Sequence, residues 1–150
     1  MFQPYQRHKG FHPYKMDTKF RVAIPTPWRP EEDGSLFLLY SIRHDLPVVK
    51  VRSQAAFDEK VDLIQSSDKS PAEKGKLLGK LAMLSTEVKL NDQGKLALPR
   101  ELCAKTGIAA DAQVYLVGRG IEFEIWSQPN FERMLEIESG TLEDDDLGIF

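Results

Sequence analysis

Residues 16–25, MDTKFRVAIP, and residues 90–99, LNDQGKLALP, are two versions of one pattern. Setting each residue against the one 74 positions later pairs Asp17 with Asn91, Phe20 with Gly94, Arg21 with Lys95 and Pro25 with Pro99. Further along the chain, the same offset pairs Ser53 with Ser127. Self-similarity at a fixed spacing is the signature of a repeated structural unit. We therefore interpret the chain as two copies of one unit separated by an insert.

Each copy predicts the same order of elements. A polar loop leads into a short alternating strand, at 21–24 or at 95–98, and the proline that follows ends it because proline has no N–H for a ladder. Two longer strands follow in each copy, at 36–42, 48–52, 113–118 and 121–126. Ser53 and Ser127 are then predicted to be N-caps of helices.

The insert is predicted to be helical. Residues 70–73, Ser-Pro-Ala-Glu, form a capping box with proline at the first helical position, and leucines behind it line one face that we interpret as core packing. A short helix at 100–105 should be closed by Gly107. The expected domain plan is a first unit at 11–68, the helical insert at 69–84, a second unit at 85–138 and an acidic tail at 139–150.

The composition is that of a soluble globular protein, with 41% apolar and 29% charged residues. The sequence contains no apolar run long enough to cross a membrane, and its beginning has no secretory-signal pattern. One cysteine, Cys103, cannot form an internal disulfide, which favours a reducing compartment. We expect a cytoplasmic protein with no membrane partner.

Charge is unevenly distributed along the chain. The net charge is −3, yet residues 1–30 hold six basic residues against one acid, and residues 69–105 hold eight against four. Residues 132–150 hold seven acids against one arginine. A phosphate backbone would respond to the local field, so the basic sections are compatible with nucleic acid. On composition alone, a solvated basic surface is the commoner explanation of such sections.

No constellation of residues predicts catalysis, a metal site or a cofactor. His8 and His12 are four apart, but Gly10 and Pro13 argue against a helix there, and no other metal ligands accompany the histidines. Cys103 lies on a short amphipathic helix, where a buried small apolar residue is the expected role. We therefore expect no enzyme activity, no resident cofactor and no small-molecule substrate.

The segment NDQGKLALPRELCAKTGI, a loop followed by strand, proline, short helix and glycine, resembles the swapped-hairpin unit of the AbrB/SpoVT superfamily. Two such units with a helical segment between them resemble the MraZ family of bacterial transcription regulators. The resemblance covers roughly residues 11–138. It implies an α+β fold in which two tandem AbrB/SpoVT-like swapped-hairpin β units form an internal pseudo-dimer with a helical insert. It also implies a ring-shaped homo-oligomer that binds double-stranded DNA at the nucleoid and regulates a cell-division and cell-wall gene cluster.

The family motif, Asp-x-x-Gly-Arg followed by an alternating strand, falls on both loops. Asp17, Asn91 and Gly94 take loop-structural positions, because a short side-chain acceptor can hold a turn and glycine tolerates positive φ. The expected DNA-binding residues are Arg21, Lys19, Lys95, Lys15, Arg7 and Lys9. For Arg21 an ion pair with Asp17 is the alternative, and for Arg7 and Lys9 a mobile, solvated terminus is the alternative.

Both copies depart from the motif. Phe20 replaces the glycine of the first loop, so either that loop has changed shape or the phenylalanine makes an apolar contact. Lys95 replaces the arginine of the second loop, and lysine cannot make the planar two-pronged contact that arginine makes to guanine.

Two rival functions stay open. One is a ring-forming scaffold of the same fold that has lost DNA readout, and the other is a small hydrolytic enzyme that uses Asp17. We also hypothesise that the acidic tail competes with DNA for the basic loops, because it carries the opposite charge.

Overall fold

The computed structural model describes residues 7–31 and 33–150, and the chain is an α+β protein, which confirms the predicted class. The strands are β1 (Phe11–Lys15), β2 (Arg21–Ala23), β3 (Leu36–Arg43), β4 (Leu46–Ser53), β5 (Ser85–Val88), β6 (Lys95–Ala97), β7 (Gln113–Gly118) and β8 (Phe123–Ser127). The helices are α1 (Gln54–Gln65), α2 (Pro71–Leu84), α3 (Arg100–Thr106) and α4 (Gln128–Ser139). Short 3₁₀ turns occupy Thr26–Trp28 and Leu142–Asp144.

Six strands form one antiparallel sheet in the order β1-β7-β8-β4-β3-β5, and β2 pairs with β6 in a separate two-stranded ribbon. Strands from the two halves are interleaved in this order, because β1 pairs with β7, β4 with β8 and β3 with β5, so each half depends on the other for strand partners. The order also reads the same backwards when each strand is exchanged for its counterpart in the other half. The two halves therefore share one sheet.

Two strand pairs show where the halves meet. In the ribbon Val22 is paired with Leu96, and at the middle of the sheet Lys50 is paired with Glu124. Both pairs join residues that are 74 positions apart, the same offset that relates the two loop sequences. An approximate two-fold axis that relates the two halves thus passes through these pairs.

A buried apolar cluster lies between the ribbon and one face of the sheet. Val22 and Leu96 are fully buried, and so are their neighbours on the sheet. These strands alternate as a sheet face requires, with buried residues two apart in each strand. The neighbours in the cluster include Leu36, Leu38, Val49, Val51, Val114, Leu116, Phe123 and Ile125.

The helices α1 and α4 pack on the sheet, and α4 forms a second apolar cluster in which Trp126, Phe131 and Met134 are buried. Phe57 of α1 stacks on Phe37 of β3 with the ring centroids 4.5 Å apart. Ser53 and Ser127 accept hydrogen bonds from the first-turn amides of α1 and α4, which confirms both predicted N-caps. The β2–β6 ribbon covers one face of the sheet, and the helices α1 and α4 cover the other.

A buried carboxylate lies on the helix side of the sheet. Glu124 is fully buried, and Arg43 and Arg119 approach its oxygens at 2.8 Å and 2.9 Å. The indole N–H of Trp126 donates a third hydrogen bond of 3.0 Å. Arg119 also makes a two-pronged contact to Glu138, and this hydrogen bonding raises the pKa of Arg119 and lowers that of Glu138. These bonds tie β3, β7, β8 and α4 together.

The insert forms the predicted helix with the predicted start. Ser70 accepts a hydrogen bond from the Glu73 amide at 3.2 Å, and Pro71 is the first residue of α2. No residue of α2 is buried, so the interpretation of its leucine face as core packing is wrong for this chain. The main contacts of α2 are with α1 and the edge strand β5. Apolar side chains of the α1–α2 hairpin stay exposed, namely Leu63, Leu77, Met83 and Leu84.

The acidic tail continues beyond α4 as a 3₁₀ turn and a capped loop. The carboxylate of Asp145 accepts hydrogen bonds from the backbone amides of Leu147, Ile149 and Phe150. The side chains of these three residues are exposed. The hypothesis that the tail competes with DNA stays a prediction.

The segment before β1 is fastened to the body of the protein. His8 is 4% exposed, forms a β-bridge with Gly120 and approaches the Gly120 carbonyl through Nδ1 at 2.8 Å. Its ring also contacts Trp28 and Phe123. Desolvation lowers the pKa of His8 from its ordinary value of 6.5, although the hydrogen bond to Gly120 acts in the opposite direction.

We expect stability to fall when the pH is lowered through about 6.5. The unfolded chain takes up a proton at His8 before the folded chain does, so the free energy of unfolding decreases between the unfolded pKa and the lower folded pKa. The lowered pKa values of Asp17 and Glu138 produce losses only at more acidic pH, below their ordinary values of 3.8 and 4.5. Urea unfolding at several pH values would measure the effect.

The matched variants are His8→Gln and His12→Gln, because His12 lies nearby in β1 and is exposed. The first should flatten the dependence of unfolding free energy on pH near 6, and the second should leave it unchanged. Equal pH dependence in the wild type and His8→Gln would show that His8 is not the responsible group.

Candidate nucleic-acid interface

The two repeated loops have the same hydrogen-bonded conformation. Oδ1 of Asp17 accepts hydrogen bonds from the amides of Lys19 and Arg21, at 2.8 Å and 2.9 Å. Oδ1 of Asn91 accepts the corresponding bonds from Gln93 and Lys95, both at 2.9 Å. Each loop is also closed by backbone bonds between its first and last residues. An aspartate and an asparagine therefore hold equivalent turns.

The fourth loop position has positive φ in both copies. Gly94 has φ of 73° and Phe20 has φ of 58°, so the replacement of glycine by phenylalanine has not changed the shape of the first loop. Phe20 is half-buried against the apolar cluster, and the guanidinium of Arg100 lies 5.4 Å from its ring centroid. This cation–π contact and the packing offset the backbone strain of a left-handed non-glycine residue. Of the two expectations for Phe20, the apolar contact is the one observed.

Gly94 is constrained by close approach as well as by its backbone. The guanidinium of Arg29 lies over it, so a Cβ at position 94 would be 2.3 Å from Arg29 Cζ. Nε of Arg29 donates to the Ile24 carbonyl at 2.9 Å, which fixes the guanidinium in place. The carbonyl of Gly94 accepts a hydrogen bond from the Ile24 amide, and that of Phe20 accepts one from the Leu98 amide. Each loop is thus fastened to the strand of the other half.

The ribbon has one buried face and one outward face. Val22 and Leu96 point into the core, so Arg21, Ala23, Lys95 and Ala97 alternate to the outside. Antiparallel pairing places Arg21 beside Ala97 and Lys95 beside Ala23. The outward face therefore presents two cations at diagonal positions, each paired across the ribbon with an alanine.

One carboxylate lies between these two cations. Oδ2 of Asp17 is 2.8 Å from Nε of Arg21 and 3.9 Å from Nζ of Lys95. Desolvation acts to raise the pKa of Asp17, but the Arg21 and Lys19 hydrogen bonds outweigh it and lower the pKa to about 2. Asp17 is therefore ionised at every physiological pH. The ion pair that the sequence left as an alternative for Arg21 is present.

The other predicted DNA-binding residues lie in different surroundings. Lys15 pairs with Asp111 at 3.2 Å, at the end of β1. Arg7 donates to the Arg29 carbonyl, so this part of the chain is bound to the protein. Lys9 and Lys19 are exposed, and their ammonium groups make no ion pair within the part of the chain that the structure describes. The structure brings Arg21 and Lys95 together through Asp17.

Sequence reasoning missed two arginines next to the loops. The amide of Arg29 donates to the Thr26 carbonyl, and its guanidinium packs on Gly94. Arg100 is not distinguished by any motif, although it immediately follows the proline of the second loop pattern. For Arg100 the only sequence signal is a charged residue at the start of a helix after a repeated loop.

The residues weighed for chemistry have structural roles. Cys103 is buried, and desolvation raises the pKa of its thiol to about 11. Among residues 7–31 and 33–150, no group of three or more histidine, cysteine or carboxylate side chains is arranged to hold a metal ion. Within those same residues no helix is long and apolar enough to cross a membrane.

Comparison with known proteins finds relatives along most of the chain. No family model matches the chain. A protein named transcriptional regulator MraZ from Rickettsia felis is 28% identical over 80% of this chain and 80% of its own length. Proteins of the same name from Shewanella amazonensis and Coxiella burnetii are 25% and 28% identical, over 93% and 85% of this chain and 91% and 84% of their own lengths.

An α+β chain with two matching basic loops, similar along most of its length to transcriptional regulators, is a protein of the transcription-regulator class. Proteins named transcriptional regulator MraZ are thus similar to this chain along most of its length, which confirms the resemblance to that family.

Proposed function

We propose that this protein binds double-stranded DNA sequence-specifically through the outward face of the β2–β6 ribbon and the two loops that flank it. The observation that supports the proposal is that two loops with matching hydrogen bonds place Arg21 and Lys95 on the same face of the ribbon. Arg21 supplies the planar fork suited to guanine or phosphate, and Lys95 supplies a point charge suited to phosphate. Lys19 extends the same basic edge, and Lys9, Lys15 and Arg7 are secondary candidates.

The proposed gene target follows from the family resemblance. MraZ-type regulation implies a cell-division and cell-wall gene cluster, and action in the cytoplasm at the nucleoid. The names of the relatives support regulation of transcription in preference to the hydrolytic alternative. Asp17 serves as a turn holder and ion-pair partner, which is a sufficient role without chemistry.

The proposed assembly is a ring in which each chain contributes two tandem swapped-hairpin units, 11–68 and 85–138. The interleaving of strands from both halves in one sheet supports an internal pseudo-dimer. Exposed Leu63, Leu77 and Met83 on the α1–α2 hairpin support contacts to neighbouring chains. A ring would sum many weak loop–DNA contacts into useful affinity.

The test is a salt series of DNA binding by the wild type, Arg21→Ala and Lys95→Ala. Each variant should weaken binding and reduce the slope of log K against log salt by about 0.9 for each phosphate that is no longer neutralised. Fluorescence anisotropy with a labelled duplex measures both quantities. Lys80→Ala is the matched control, because Lys80 is exposed on α2 and makes no ion pair with any described residue.

Unchanged affinity and slope in both loop variants would contradict the ribbon interface. Rings in electron micrographs combined with no DNA binding by the wild type would favour the rival scaffold function. Binding that falls equally in Lys80→Ala would show that net charge, not the ribbon, determines affinity.

A further inference from the structure

The charge of Asp17 is not needed for the turn that Asp17 holds. Asn91 accepts the same two amide hydrogen bonds in the second loop with an uncharged amide oxygen, at nearly the same distances. The backbone closure of the two loops is also the same. The second loop is therefore an internal control, which shows that asparagine suffices for the conformation.

The free oxygen of Asp17 contacts the two cations of the ribbon. Oδ1 serves the turn, whereas Oδ2 lies 2.8 Å from Arg21 Nε and 3.9 Å from Lys95 Nζ. The second of these contacts crosses from one half of the chain to the other. These are also the partners that a phosphate would need, so carboxylate and phosphate compete for the same donors.

Asp17 strongly affects the net charge of the two loops. Residues 17–21 hold Lys19 and Arg21 against Asp17, and residues 91–95 hold Lys95 against Asp92, so the two loops together carry a net charge of +1. Removing the charge of Asp17 alone would bring that total to +2. The ribbon face of a net acidic protein would then be considerably more attractive to DNA.

We propose that Asp17 is a built-in electrostatic restraint, which occupies Arg21 and Lys95 in the free protein and lowers affinity for DNA of arbitrary sequence. This inference rests on the proposed function, since it assigns a role to Asp17 within the same interface. DNA that makes good contacts displaces the carboxylate from both cations. A poorly matched duplex makes too few contacts to offset the free-energy cost of breaking the two Asp17 contacts. Because Asp17 stays ionised at physiological pH, the restraint is permanent and is not a pH switch.

The experiment compares Asp17→Asn with Asn91→Asp in binding to a labelled duplex of random sequence. Asp17→Asn should bind roughly fivefold tighter at low salt, the order expected for one unit charge a few ångströms from phosphate in water. The slope of log K against log salt should steepen by about 0.9, the value for one further neutralised phosphate. Asn91→Asp should weaken binding by a similar factor, and thermal melts should show both variants folded.

The outcomes separate this inference from the proposed function. If Asp17→Asn binds no tighter than the wild type while Arg21→Ala still weakens binding, the restraint is wrong and the interface stands. Weaker binding by folded Asp17→Asn would also overturn the restraint, and would make Asp17 a positioning residue for Arg21. If Arg21→Ala and Lys95→Ala have no effect, the interface itself fails.

Discussion

Replacing Glu124 by glutamine should lower the free energy of unfolding by about 3 kcal/mol or more, which is the usual result of removing one member of a buried ion pair. Glu124 is fully buried and accepts from Arg43, Arg119 and Trp126. The amide would leave the partly buried guanidinium of Arg43 without its counter-charge and Arg119 with Glu138 alone, and its NH₂ would face donors. Urea unfolding followed by circular dichroism measures the change.

The matched control for this substitution is Glu136→Gln. Glu136 lies on α4 and pairs only loosely with Arg133 at 3.8 Å, and both side chains are mostly exposed. Surface pairs of this kind contribute between about 0 and 1 kcal/mol, so the control should be nearly neutral. Equal effects of the two substitutions would show that the Glu124 cluster does not stabilise the sheet.

Replacing Gly94 by alanine should destabilise the protein by about 2 kcal/mol, because two penalties add. A left-handed backbone conformation costs an alanine about 1 kcal/mol or more. The new methyl group would also lie 2.3 Å from the present position of Arg29 Cζ, which forces the guanidinium off the Ile24 carbonyl. Differential unfolding measurements would show the decrease in stability, and DNA binding through Lys95 should weaken with it.

The same substitution at Gly79 should have the opposite sign. Gly79 lies in α2, and a Cβ there would meet nothing within 4 Å. Alanine is favoured over glycine in a helix interior by about 1 kcal/mol, so Gly79→Ala should stabilise. A destabilising Gly79→Ala or a neutral Gly94→Ala would contradict the assigned roles of these glycines.

Much of the fold follows from short-range signals in the sequence. The 74-residue offset identifies both loops, and Ser53, Ser70 and Ser127 mark helix starts because a side-chain oxygen satisfies free amides there. Gly107 ends α3 in the left-handed conformation, as predicted. Strand ends differ by one or two residues, as at β8, which begins at Phe123 and not at 121.

The features that escaped prediction depend on long-range contacts. Glu122 and Glu124 alternate with apolar residues in a way that is typical of a solvent-facing strand surface, yet every residue of β8 is buried because the sheet is covered on both faces. The partners of Glu124 come from β3 and from the loop after β7, which no spacing rule connects. The contact between Asp17 and Lys95 likewise requires the pairing of β2 with β6.

The pairing of Lys50 with Glu124 at the centre of the sheet has a consequence for the symmetry of the protein. A cation opposite an anion is possible there only because one chain encodes both halves separately; a symmetric assembly of identical short chains would place like charges face to face. The same freedom allowed Asp17 and Asn91, and Phe20 and Gly94, to diverge. Each chain therefore has two distinguishable halves, and the proposed interface would favour an unsymmetrical DNA site that is bound in one orientation.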